Sequence, residues 1–176
     1  METSDEQFLR LAIALAHHAR QQGADPFGAV LVNDGVVVHQ AYDRSVEFSD
    51  PTFHAELSVI SEYCRAHSQF SLDGYTLYTS TEPCAMCAGA IHWARISRVV
   101  YSVSQAMLQQ LSGGRPKPSS RSLLNSGHGK AAIVGPLLSE EGLAVFDGYA
   151  FVPKIERHRV CRADKPARTK GFNHRA

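Results

Sequence analysis

From Phe27 to Asp147 short β-rich runs alternate with segments of helical periodicity, and this alternation restricts the fold more than any other feature. It builds a sheet covered by helices on both faces, an α/β architecture. Ser4 and Gln7 have the spacing of a capping box, and Phe8, Leu11, Ala12, Leu15, Ala16 and Ala19 recur at helical intervals, so a helix is predicted over 5–22. Two strands follow, Phe27 to Val32 and Val36 to Ala41, separated by Asn33-Asp34-Gly35, the signal of a tight hairpin. After a loop through Asp50-Pro51, a second helix is predicted over 54–67 with Leu57, Ile60 and Cys64 on its apolar side. Asp73-Gly74 turns the chain into a strand from Tyr75 to Thr79, and Pro83 introduces a third helix over about 84–95. Ser97 to Val103 is a fourth strand, Ser104 to Leu111 a helix, Ala131 to Leu138 a fifth strand and Ser139 to about Asp147 the last helix. Between them, eleven of the eighteen residues from 112 to 129 are Gly, Pro or Ser, which predicts a loop or lid over 112–130.

Length and charge divide the chain once. Its 176 residues fit one domain, placed at 1–150, within the usual range of roughly 100–200 residues. Residues 151–176 hold eight Lys and Arg against two acids, a basic tail on a body with ten basic and fifteen acidic residues. A solvated terminus is the simpler reading of that tail, and contact with an anionic partner the alternative. The amino end is acidic, with Glu2, Asp5 and Glu6, and the uncharged run Leu11 to Ala19 is too short for a bilayer. A cytoplasmic protein is expected, with Cys64, Cys84, Cys87 and Cys161 reduced.

Two of those cysteines carry the chemistry. His54-Ala55-Glu56 and Pro83-Cys84-Ala85-Met86-Cys87 both fall at predicted helix starts. Cysteines at i and i+3 share a helical face, and the donors at a helix N-terminus favour the thiolate that a soft divalent metal takes. With His54 they give a tetrahedral zinc three protein ligands and one open position for water, as in a catalytic site. Glu56 begins the same helix as His54 and is placed to move protons there. The combination His-x-Glu with Pro-Cys-x-x-Cys is the signature of zinc deaminases, which hydrolyse the amidine carbon of a nucleobase. A closed zinc staple is the competing reading; Cys161, Cys64 or His92 would have to be its fourth ligand, and none has motif spacing.

Over about residues 5–105 these motifs resemble the cytidine and deoxycytidylate deaminase superfamily, in the His-Ala-Glu branch of guanine deaminases, tRNA adenosine deaminases and fungal-type cytosine deaminases. The resemblance implies a three-layer α/β/α, cytidine deaminase-like fold on a central five-stranded mixed sheet. It further implies a homodimer, one zinc per chain on His54, Cys84 and Cys87, and Glu56 as proton shuttle. Within the branch, Asp25-Pro26-Phe27-Gly28-Ala29-Val30, Leu77-Tyr78-Thr79-Ser80-Thr81-Glu82-Pro83-Cys84 and Gly89-Ala90-Ile91-His92-Trp93-Ala94-Arg95 are similar to guanine deaminase strings. A guanine-like nucleobase or nucleoside is therefore the first-choice substrate. A tRNA adenosine reached through Arg157, Arg159, Arg162, Lys165, Arg168 and Lys170, cytosine, and a non-catalytic zinc module are the alternatives.

Candidate substrate contacts are Phe27, Asp43, Ala55, Trp93, Tyr149 and Phe151. Asp43 stands where many relatives carry an Asn after the second strand; an ionised Asp only accepts hydrogen bonds and so suits a ring N–H or an exocyclic amine. The other reading of Asp43 is a loop cap with Arg44. Phe146, Tyr149 and Phe151 are suited to stacking on a flat base or to the core, and Trp93 to a pocket wall or the core.

Overall fold

The computed structural model describes residues 4–114, 119–125, 130–152 and 156. In chain order its elements are α1 (Ser4–Gln21), β1 (Gly28–Asn33), β2 (Val36–Tyr42), α2 (Ser45–Phe48), α3 (Ala55–His67) and β3 (Thr76–Thr81). Then come α4 (Ala85–Trp93), β4 (Arg98–Val103), α5 (Gln105–Ser112), α6 (Arg121–Leu124), β5 (Ala132–Val134) and α7 (Ser139–Ala144). The strands form one five-stranded sheet in the order β2-β1-β3-β4-β5. β1 runs antiparallel to β2 and β3, while β3, β4 and β5 are parallel, so the sheet is mixed as expected. At the first hairpin Asp34 and Gly35 take φ of 48° and 75°, the left-handed pair that a two-residue turn between twisted strands requires.

Because side chains alternate along a strand, the sheet feeds two separate cores. Ala29, Leu31, Leu77 and Val99 pack with Ala55 and Val59 of α3 and Ile91 of α4. Val30, Val32, Tyr78 and Val100 pack on the opposite face with Leu9, Ala12, Ile13 and Ala16 of α1 and with Val145 and Phe146. This is the expected three-layer α/β/α arrangement. The start of α1 is tied to the sheet by Asp5, which accepts two bonds from Arg98, at 2.7 and 2.6 Å, and one from Tyr78 Oη at 2.8 Å. That fork holds the Asp5 carboxyl below its ordinary range against the opposing effect of burial.

Four expectations need correction. The inward face of α3 is Ala55, Val59, Ile60 and Tyr63, with Leu57 and Cys64 only half-buried, because polar Glu56 and Ser58 also turn inward. The segment after β2 contains the short helix α2, whose first N–H, on Ser45, donates to the carboxylate of Asp43. The stretch 112–130 is not a featureless loop: α6 lies within it, and Leu124 is 0% exposed. The fifth strand is confined to Ala132–Val134, since Gly135-Pro136 follows and proline has no N–H for the ladder. Arg157 and the other basic residues of the tail, and Cys161, lie outside the described residues.

Candidate metal centre

β3 ends at Thr81 and hands the chain through Glu82-Pro83 to α4, and the loop after α2 hands it to α3. Both hand-overs place a ligand at the helix N-cap. His54 has φ −72° and ψ 156°, Cys84 φ −72° and ψ 172°, and neither side chain caps its own helix. Each carbonyl nevertheless opens its helix, accepting from Ser58 N at 2.9 Å and Ala88 N at 2.8 Å. Freed from capping, the side chains converge: Cys84 Sγ lies 3.7 Å from His54 Nδ1 and 3.6 Å from Cys87 Sγ, and Cys87 Sγ lies 3.8 Å from His54 Nδ1.

These separations fit a metal. With zinc–sulfur and zinc–nitrogen bonds of about 2.3 and 2.0–2.1 Å, a tetrahedral centre sets two sulfurs about 3.8 Å apart and sulfur about 3.6 Å from nitrogen. Among the described residues, His54, Cys84 and Cys87 form the group that can hold an ion, their ligand atoms all within 4.8 Å of one another. Cys64 and His92 do not join it, so no fourth side chain from the described residues closes the site as a staple would require.

Charge is distributed to match. Contact with the Cys87 sulfur and with His54 draws the Cys84 pKa down to about 3 in spite of burial. The Cys84 contact, together with burial and the Glu56 charge, pushes Cys87 up. Glu56 is 6% exposed in the first turn of α3, its Oε2 3.6 Å from Cys87 Sγ. Burial pushes the Glu56 carboxyl up, against the pull of His54.

The candidate substrate contacts are distributed differently. Ala55 is fully buried beside the ligands' helices. Asp43 is 0% exposed, and its Oδ1 accepts from Ser45 N at 3.0 Å and Ser45 Oγ at 2.5 Å. Its capping partner is thus Ser45, while Arg44 turns to Glu62 at 2.7 Å. Phe27 packs on Phe146 at 6.0 Å between ring centroids, and Phe151 stacks on Phe146 at 5.7 Å. Tyr149 stands edge-on to Phe151 and donates from its hydroxyl to Asp25 Oδ1 at 2.6 Å, pinning the carboxyl-terminal aromatics to the segment that carries Phe27. Trp93 is 82% exposed at the end of α4, which corrects its reading as a core residue.

Sequence reasoning did not single out Glu82. It is buried at the turn into α4; burial acts to raise its pKa but is outweighed by bonds from Ser119, Gln105 and Ser120, which hold it below the usual carboxylate value. The only local signal was an acid placed directly before Pro83.

Residues 2–103 match the model of the cytidine and deoxycytidylate deaminase zinc-binding region. The chain is 43% identical over 98 residues to the guanine deaminase of Bacillus subtilis, an alignment spanning 55% of this chain and 63% of that protein. It is 33% identical over 154 residues to the probable cytosine deaminase of Schizosaccharomyces pombe, covering 85% of this chain and 94% of that one. A structure solved in a study of A-to-I editing by tRNA:A34 deaminases superposes with a TM-score of 0.66 at 34% identity, over 79% of this chain and 98% of the other.

Proposed function

Because the chain belongs to the cytidine and deoxycytidylate deaminase zinc-binding family, we propose that it is a zinc-dependent aminohydrolase that deaminates a purine-like nucleobase or nucleoside, guanine-like by first choice. The observation that carries this reading is a buried carboxylate, Glu56, 3.6 Å from one of three ligand atoms set at tetrahedral spacing. His54, Cys84 and Cys87 would hold the one zinc of the family, which would supply Lewis acidity there. Glu56 takes one proton from the attacking water and gives it to a ring nitrogen, then carries the second, from the hydroxyl formed on the carbon, to the departing amine, so that water and a cyclic amidine become a carbonyl and ammonia. Asp43 supplies an acceptor for a ring N–H or amine, whereas Phe27, Tyr149 and Phe151 pack with Phe146 on the α1 face of the sheet.

On this reading the enzyme is a cytoplasmic homodimer acting on a small heterocycle. Trp93, exposed at the end of a largely apolar helix, suits such an interface. No described helix is long and apolar enough to cross a membrane. The test is ammonia release by the zinc-loaded protein on guanine, guanosine, adenine, adenosine, cytosine and cytidine, with Glu56→Gln as the blank. Losing the general acid and base costs about 10²–10⁴-fold in turnover. Glu56→Gln is expected to keep one zinc and lose that factor on guanine; full activity in the variant removes Glu56 from the mechanism. Signal on cytosine alone, or only on a tRNA anticodon stem, replaces the guanine-like assignment.

A further inference from the structure

A further buried carboxylate stands two residues before Cys84. Glu82 is 4% exposed, and its two oxygens face different parts of the chain. Oε1 accepts from Ser119 Oγ at 2.6 Å and from Ser120 N and Ser120 Oγ, both at 3.1 Å. Oε2 accepts from the backbone N–H of Gln105, the first residue of α5, at 2.9 Å. The Glu82 backbone is also held, its N–H donating to Val103 O at 2.7 Å and its carbonyl accepting from Gln105 Nε2 at 2.6 Å. The end of β4, the start of α5 and the Ser119-Ser120 turn therefore meet on the residue that leads into the ligand turn. The segment beginning at Ser119 continues into α6, which packs against α4 and sinks Leu124 into the same core as Ile91.

We propose that Glu82 is the positioning residue of the metal centre, and that Ser119–Leu124 is a fixed clamp on the Cys84–Cys87 turn. The start of α4 needs such a device. Its N-cap is a ligand with no capping bond and its first turn has no acid, so nothing within α4 itself fixes how Cys84 enters the helix. Glu82 does so from outside, as groups behind a metal's ligands commonly do. The acceptor geometry demands a carboxylate. Glutamine has one acceptor oxygen, but the N–H groups of Ser120 and Gln105 approach opposite oxygens, so either orientation of the amide sets an NH2 against a backbone N–H.

This inference rests on the deaminase reading only for its effect on turnover, and its test has readouts independent of turnover. The full chain, loaded with zinc or with Co2+, is compared with Glu82→Gln and with the double variant Ser119→Ala/Ser120→Ala. The measurements are the rate of metal release to excess chelator, the cobalt–thiolate absorption band, and amide exchange at 85–88 and 123–125. Replacing groups behind a ligand shell costs about 10–100-fold in metal affinity or activity. Glu82→Gln is expected to release metal at least about tenfold faster, to shift the cobalt band and to lower kcat more than it raises KM. The double variant keeps the carboxylate and both backbone donors and should fall between Glu82→Gln and the parent. Parental release and an unmoved band in Glu82→Gln overturn the proposal, and so does a loss of stability with the band unmoved. Should Glu82→Gln fail to fold, the serine variant decides: faster release and exchange support the clamp, and parental values refute it. A parent protein inactive on every base removes the deaminase reading but leaves the release and cobalt measurements to judge Glu82.

Discussion

Gly28→Ala tests how closely α1 lies on the sheet. A Cβ at Gly28 would stand 2.4 Å from Ala12 O, 2.6 Å from Leu15 Cβ and 2.8 Å from Ala16 N. Ordinary carbon–oxygen contacts begin near 3.3 Å, so the helix must retreat by about 0.9 Å. Two of the three obstacles are backbone atoms of α1, and no change of rotamer relieves them. A gap of that size forfeits about a quarter to a half of the dispersion attraction between facing atoms. Leu9, Ala12, Ile13 and Ala16 all lie on the face that would lift. Overpacking typically costs about 1–3 kcal/mol, and an unyielding backbone puts this site near about 3. The smaller gain of about 0.4–1 kcal/mol from a stiffer unfolded chain does not reverse the sign. At about 2–4 °C per kcal/mol for a chain of this size, Tm should fall by about 6–12 °C. Thermal and urea unfolding followed by circular dichroism measure the loss. Since α1 carries no ligand, zinc content of the folded variant should be unchanged. A Tm equal to or above the parent's would refute the close approach of helix and strand.

Asp5→Asn should flatten the acid limb of stability. The Arg98 fork, aided by Tyr78, lowers the folded-state pKa of Asp5 from 3.8, so its contribution is complete above that value and is lost as pH falls through the folded value; parallel acid limbs in urea melts of parent and variant would exclude this. Asp43→Asn keeps an oxygen for both Ser45 donors and converts the second oxygen to an NH2 donor. Its expected effect is a changed ranking of bases in the ammonia assay at constant zinc content, and an unchanged ranking removes Asp43 from substrate recognition.

What could be read from the chain followed from local demands. Asn33-Asp34-Gly35 announced its hairpin because two consecutive left-handed residues are needed there, and the ligands were legible because helix starts are marked by the preceding segment and by Pro83. The inward face of α3 was misread because apolar counting passes over Glu56 and Ser58, which are buried for reasons beyond hydrophobicity. α6 was hidden in a Gly, Pro and Ser-rich stretch where one residue, Leu124, supplies the anchor. Glu82 could not be recognised because its partners, Gln105, Ser119 and Ser120, are distant in sequence and reach it only through the fold.

His54 and Cys84 show what the site gives up in local stability. Both occupy N-cap positions with the extended backbone of a cap, and neither side chain makes the capping bond. Ser, Thr, Asp or Asn there would stabilise each helix by about 1 kcal/mol. The chain uses those positions for ligands instead, and a metal that binds the folded state restores stability in proportion to the logarithm of its concentration over Kd. The two helix starts are thus coupled through one ion: holding it requires both to be formed, and each is weaker by itself. On the α4 side Glu82 anchors the turn from outside the helix; on the α3 side Phe53 and Asp50 close the approach, with Phe53 N donating to Asp50 O at 3.1 Å. Of the two, the anchor at Glu82 uses more donors and ties down more distant segments, and it stands beside the turn that supplies two of the three ligands.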